Sequence, residues 1–126
     1  MTVTHNELGD ARYALVTTFR RDGREVATPV WVVPDGDALA IWSYVGAGKV
    51  KRIRRNPAVL IGVCDVRGRP LGDQIPGRAA IFDADGTARV RDALKKKYGI
   101  QARLTLLVSR LRRGLAGTVG IGVVLD

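Results

Sequence analysis

The chain has 126 residues, 46% of them apolar and 26% charged, which is ordinary for a folded domain and enough for one core. With 21 Lys and Arg against 12 Asp and Glu, it carries a formal net charge of +9, which favours anionic partners without naming one. A single histidine and a single cysteine exclude an intrachain disulfide and the usual zinc sites, the place of that histidine, His5, in the polar N-terminal segment speaks against a Ser-His-Asp or Cys-His arrangement, and no apolar run reaches the ~18 residues of a membrane helix.

In chain order, residues 1–10 are polar and lack the basic-then-apolar form of a signal peptide. His5 lies in this segment, which is expected to be mobile. Residues 13–19 (YALVTTF) read as the first strand, and Asp22-Gly23 as a hairpin turn. Residues 26–33 (VATPVWVV) read as a second strand interrupted by Pro29. Proline gives no N–H to a ladder, so Pro29 marks an edge or a bulge. After a turn at residues 34–37, residues 38–44 (ALAIWSY) form the third strand. Residues 49–55 (KVKRIRR) read as a short helix, with Val50 and Ile53 on one face and Pro57 ending it.

Residues 58–65 (AVLIGVCD) are apolar on both faces, so this fourth strand belongs at the centre of a sheet. It contains Cys64, which reads as a small buried residue. Residues 74–83 form a fifth strand kinked at Pro76-Gly77 and closed by an Asp85-Gly86 turn. Residues 87–98 read as a helix stopped at Gly99, with Lys95, Lys96 and Lys97 suiting the negative end of its dipole. Residues 101–115 read as another helix, with Leu104, Leu107, Val108 and Leu111 at helical spacing. Residues 117–125 form the last strand. Val119, Ile121, Val123 and Leu125 share one face, and Gly120 and Gly122 leave the other bare for a backbone or a flat ligand. The expectation is a single domain over residues 1–126. Its fold class is mainly β with a few helices, a six-stranded, largely antiparallel barrel. One cysteine and no signal peptide point to the cytoplasm.

Carboxylate pairs such as Asp65 with Asp73, or Asp83 with Asp85, fall at strand ends and turns, where solvated aspartates belong. Difficult chemistry would therefore come from a cofactor. The strongest candidate for holding one is the stretch from Gly46 to Pro57, where five of the seven residues from Lys49 to Arg55 are basic. Gly46-Ala47-Gly48-Lys49 is not a phosphate-binding P-loop: Ser43 stands where its first glycine belongs, and Val50 where it needs Ser or Thr. A glycine-rich turn opening a helix still presents free N–H groups to an anion, and Lys49 adds a point charge. From the residues alone, three readings stay open: a solvated basic face, a phosphate or cofactor site, and a nucleic-acid surface. Aromatic content of 6%, not interleaved with the basic residues, argues against nucleic acid.

Ala27-Thr28-Pro29-Val30-Trp31, Ile41-Trp42-Ser43, and Gly48-Lys49 followed by Lys51-Arg52-Ile53-Arg54-Arg55-Asn56-Pro57 together resemble the flavin/deazaflavin split-barrel proteins related to pyridoxamine 5′-phosphate oxidase. Within that group the chain looks most like the small oxidoreductases that use coenzyme F-420. The resemblance covers nearly the whole chain. It implies a split β-barrel (FMN-binding split barrel-like) and a homodimer with cofactor grooves at the subunit interface.

Carried over residue by residue, it implies that Thr28, Pro29 and Val30 line the ring, that Trp42 and Ser43 meet the polyol and phosphate, and that Lys49 holds the phosphate, with Lys51 and Arg55 as further cationic contacts. Gln74 is spaced differently from the glutamine of flavin-using relatives and is not carried over. Many relatives have an arginine where Ala47 stands; Lys51 or Arg52 could compensate. The resemblance implies hydride transfer between reduced F-420 and a small organic acceptor, with FMN as the alternative cofactor. The rival within the family is a cofactor or haem carrier without turnover. A surplus of Lys and Arg suits the phosphate and glutamate tail of the deazaflavin. No catalytic side chain and no metal ligand is assigned.

Overall fold

The structure, a computed structural model, describes residues 5–114 and 117–126. Its elements in order are α1 (His5–Asp10), β1 (Tyr13–Phe19), β2 (Glu25–Val30), β3 (Val32–Asp35), β4 (Ala38–Tyr44), α2 (Gly48–Arg55), β5 (Ala58–Cys64), β6 (Ile75–Ile81), α3 (Ala84–Tyr98), α4 (Ile100–Arg113) and β7 (Thr118–Leu125). The strands form one antiparallel sheet in the order β2-β1-β5-β6-β7-β4-β3.

That order explains why the sheet has seven strands where the sequence predicts six. The expected strand over residues 26–33 changes partner at Trp31. Its first half pairs with β1, so that Thr28 faces Val16 and Pro29 faces Leu15, and its second half pairs with β4. One residue thus joins the two opposite edges of the sheet, which requires the sheet to curl until its edges meet at that corner. The break falls at Trp31 rather than Pro29. Pro29 sits on the β2 edge, where its missing N–H leaves no ladder bond unmade.

The inside of the curl is the main core. Val16, Leu39, Ile41, Val59, Ile61, Ile121 and Val123 are buried there, and Val50 and Ile53 of α2 plug one end. β5, apolar on both faces, lies between β1 and β6 as expected. A second cluster packs α3 and α4 on the outside of the sheet, through Val90, Leu94, Tyr98, Ala102 and Leu106 against Val33 and Ala40.

Several expectations change. Asp85-Gly86 is not a closing turn; it lies in the first turn of α3, which starts three residues earlier than predicted because Asp83 caps it, accepting from the Gly86 N–H at 2.8 Å. The bare face at Gly120 and Gly122 is taken up by the protein itself. The protein's own Phe82 ring and Val90 fill it so closely that a Cβ at Gly122 would stand 2.5 Å from Phe82 Cζ. His5 opens α1, and its Nε2 lies 2.7 Å from the Ala38 carbonyl oxygen. Leu104, Leu107, Val108 and Leu111 are helical but exposed, while Ala102, Leu106 and Ser109 are the buried side of α4. The predicted helix end at Leu115 lies outside the described residues. Among the described residues no helix is long and apolar enough to cross a membrane.

Candidate functional site

The corner at Trp31 opens into a groove of about 270 Å³. Pro29, Val30 and Trp31 form one wall and Trp42, Ser43 and Tyr44 of β4 the other, with Lys49 at the start of α2 closing one end. The fold makes this meeting unavoidable. β4 leads through Val45, Gly46 and Ala47 into α2, and the Ala47 N–H bonds to the Tyr44 carbonyl at 3.1 Å, holding the helix start against the strand end.

Trp31 is fixed from behind by Tyr98, with ring centroids 4.7 Å apart and planes 16° from parallel. The Tyr98 hydroxyl donates to the Arg12 carbonyl at 2.8 Å and accepts from the Val32 N–H at 3.2 Å. Burial pushes the Tyr98 phenol up, so it stays a neutral donor. The corner residue therefore rests on a rigid support rather than on a free loop.

Electrostatics mark the α2 end. No side chain caps α2. Burial, and secondarily the charge of Arg52, push the Lys49 ammonium below its ordinary value. The described residues show two ion pairs, Arg24–Asp22 and Arg89–Asp35, and neither involves Lys49. Arg52 folds back over the helix start. Its Nε donates to Thr18 Oγ1 at 2.7 Å, and its guanidinium comes within 2.7 Å of where a Cβ on Gly48 would be. Gly48 is what lets this guanidinium approach. An uncapped helix start, a half-buried lysine and a second cation make this end a candidate anion site. The aromatic side chains of Trp31, Trp42 and Tyr44 beside it suit a flat group. Together they fit a ring with an anionic tail.

Five of the eight residues singled out from sequence, Pro29, Val30, Trp42, Ser43 and Lys49, meet in this groove. Thr28, Lys51 and Arg55 are not among its lining residues. Lys51 lies two residues past Lys49, about 200° round the helix, and is exposed on the far side. Arg55 donates to the Phe19 carbonyl at 2.8 Å, at the end of β1. Thr28 is held in the β2 ladder opposite Val16. Tyr13 and Thr105 also line the groove. Neither carries a sequence signal, because β1 and α4 reach the corner only through the fold. The arginine position at Ala47 has a physical explanation: this methyl group is 5% exposed and belongs to the main core, so a long cation would have no room.

A family model described as pyridoxamine 5′-phosphate oxidase matches residues 4–120. No curated protein matches the chain. Among solved structures, an F-420 reductase is 21% identical with a TM-score of 0.65, over 100% of this chain and 96% of that one. A conserved hypothetical protein of Mycobacterium tuberculosis is 18% identical with a TM-score of 0.73, over 100% of this chain and 82% of that one. The haem storage protein HutZ of Vibrio cholerae is 13% identical with a TM-score of 0.65, over 97% and 84%. These neighbours share the fold, while the family model spans the curled sheet, the Trp31 corner and the start of α2 alike. The chain belongs to the pyridoxamine 5′-phosphate oxidase family.

Proposed function

We propose that the chain is a coenzyme F-420-dependent oxidoreductase acting on a small organic acceptor. The observation that carries this reading is the convergence of Lys49 and the uncapped start of α2 with Trp42 and Ser43 on one groove. When bound, the deazaflavin supplies the hydride chemistry. The chain's own residues bind and orient. Lys49 meets the phosphate, and Arg52, held by Thr18, adds a second charge from above Gly48. The backbone of Pro29 to Trp31 positions the ring edge, and Trp42 and Tyr44 exclude water from the face where the acceptor must approach within contact distance. Lys51 and Arg55 attract the glutamate tail through their field.

The protein works as a homodimer in this reading. Ile100, Leu104, Leu107 and Leu111 on α4 are each more than half exposed, and a partner covering them would extend the groove beyond 270 Å³. The similarity to an F-420 reductase supports the cofactor assignment.

The test is titration of the purified protein with F-420, FMN and haem, followed by absorbance and fluorescence. F-420 should saturate, and reduced F-420 should then be oxidised in the presence of an acceptor. Saturation by FMN or haem but not F-420 would reassign the cofactor. Saturable binding of all without turnover would make the protein a carrier, and saturation by none would overturn the reading.

A further inference from the structure

Behind the groove lies a larger cavity that this function does not use. It measures about 470 Å³, within the range of small-molecule sites, and sits between α3 and α4 over the outer face of β4 and β7. Two rows of cations face into it. Arg91 and Lys95, four residues apart, share a side of α3; Arg103 and Arg110, seven apart, share a side of α4. Asp92 is the one carboxylate in its lining. None of the four cations takes part in an ion pair among the described residues. Arg103 and Arg110 are exposed and Arg91 and Lys95 half-buried, so the four together give the cavity a positive field that favours an anion.

A second, independent observation concerns hydrogen bonding. Ser109 also lines this cavity and is 5% exposed, yet its hydroxyl has no partner among the described residues. Trp42, which forms part of the cavity wall, has a buried indole N–H that also lacks a partner among the described residues. Buried donors without acceptors are uncommon in folded proteins, and each costs desolvation energy. An acceptor oxygen is the group that each donor lacks. The cavity also has an apolar part, in Leu106, Leu107 and the indole of Trp42.

We propose that this α3–α4 cavity is a second ligand site, for a small organic anion with a flat apolar body and a phosphate or carboxylate head. The head sits among Arg91, Lys95, Arg103 and Arg110, and the body lies against Trp42. This site adjoins the cofactor groove: the two share the Trp42 indole, and a smaller pocket that includes Trp42, Thr105 and Ser109 has residues in common with both. A ligand here would therefore be sensed by the wall of the groove.

Phenyl phosphate and benzoate are the probes, with isothermal titration calorimetry on the full chain. Tryptophan fluorescence in a Trp31→Phe background reports Trp42 alone. Expected are one saturable site per chain for at least one probe, a change in Trp42 emission, and affinity weakened roughly tenfold or more in Arg103→Gln/Arg110→Gln. Ser109→Ala should weaken it roughly fivefold. Both arginines are exposed, so the double variant should fold normally, which circular dichroism checks. Lys49→Ala should leave probe affinity within about twofold, since a single charge change outside the cavity is a weak perturbation. Binding lost in Lys49→Ala but kept in the arginine variant would assign the anion to the cofactor groove and overturn the proposal. Absence of saturable binding by both probes would also overturn it. Either failure leaves the F-420 titration unaffected, so the two readings are judged separately.

Discussion

Lys97 donates to three backbone carbonyls, those of Gly9, Ala11 and Val32, and so ties α1 and the Trp31 corner to α3. Lys97→Met should cost about 1–3 kcal/mol in urea denaturation, because those carbonyls lose their donor. Burial pushes the Lys97 ammonium down to about 8, from an ordinary 10.5. Between these values the unfolded chain keeps a proton that the folded chain has released, so this group makes stability rise with pH across that window. Above the ordinary tyrosine value of 10.0 the raised Tyr98 phenol works the other way, since there the unfolded chain is the one that loses its proton first. Denaturation between pH 8 and 10 should thus show a more positive pH slope in the wild type than in Lys97→Met; equal slopes would contradict this.

At Gly122 an added methyl group would meet the Phe82 ring, so Gly122→Ala should cost about 1–3 kcal/mol, and a double-mutant cycle with Phe82→Leu should show coupling. The groove was partly legible at this scale. Trp42, Ser43 and Lys49 stand in a local motif of recognisable order. Tyr13 and Thr105 converge on it from distant segments and leave no local trace. The role of Arg52 was half legible, since Gly48 four residues earlier is what makes room for it.

At the scale of elements, period and chemistry predict which segments are helix and strand, but not what each face meets. α2 is the clear case: Val50 and Ile53 are 0% and 3% exposed while Lys51 faces water. Ile53→Ala should therefore cost about 2–5 kcal/mol by calorimetry, and Lys51→Ala less than about 0.5 kcal/mol. α4 is the opposite case. Its apolar spacing was read correctly as helical, yet that stripe is exposed, and the buried side is the less conspicuous Ala102, Leu106 and Ser109. Two apolar sides on one helix give periodicity no means of choosing between them. The predicted second strand failed for another reason. Residues 26–33 are continuously extended, and only the curl of the sheet makes them belong to two edges. The Asp85-Gly86 pair read as a turn because its local chemistry is that of a turn; the Asp83 cap outweighs it.

At the scale of the whole molecule, the curled sheet places its two edges, an uncapped basic helix and two tryptophans at one corner. The exposed stripe on α4 is the surface most in need of a cover. Sedimentation should show a dimer, and Leu104→Glu/Leu111→Glu should shift it to monomer; a wild type that sediments as a monomer would contradict this. The net charge of +9 adds long-range attraction for an acidic ligand, so association should slow as salt rises. The central claim is that Lys49 and the start of α2 hold the anionic end of a deazaflavin. The most direct measurement is fluorescence titration of F-420 against the wild type and Lys49→Ala. Saturable binding by the wild type and roughly tenfold or greater weakening in the variant are expected. Equal affinity in both would contradict it.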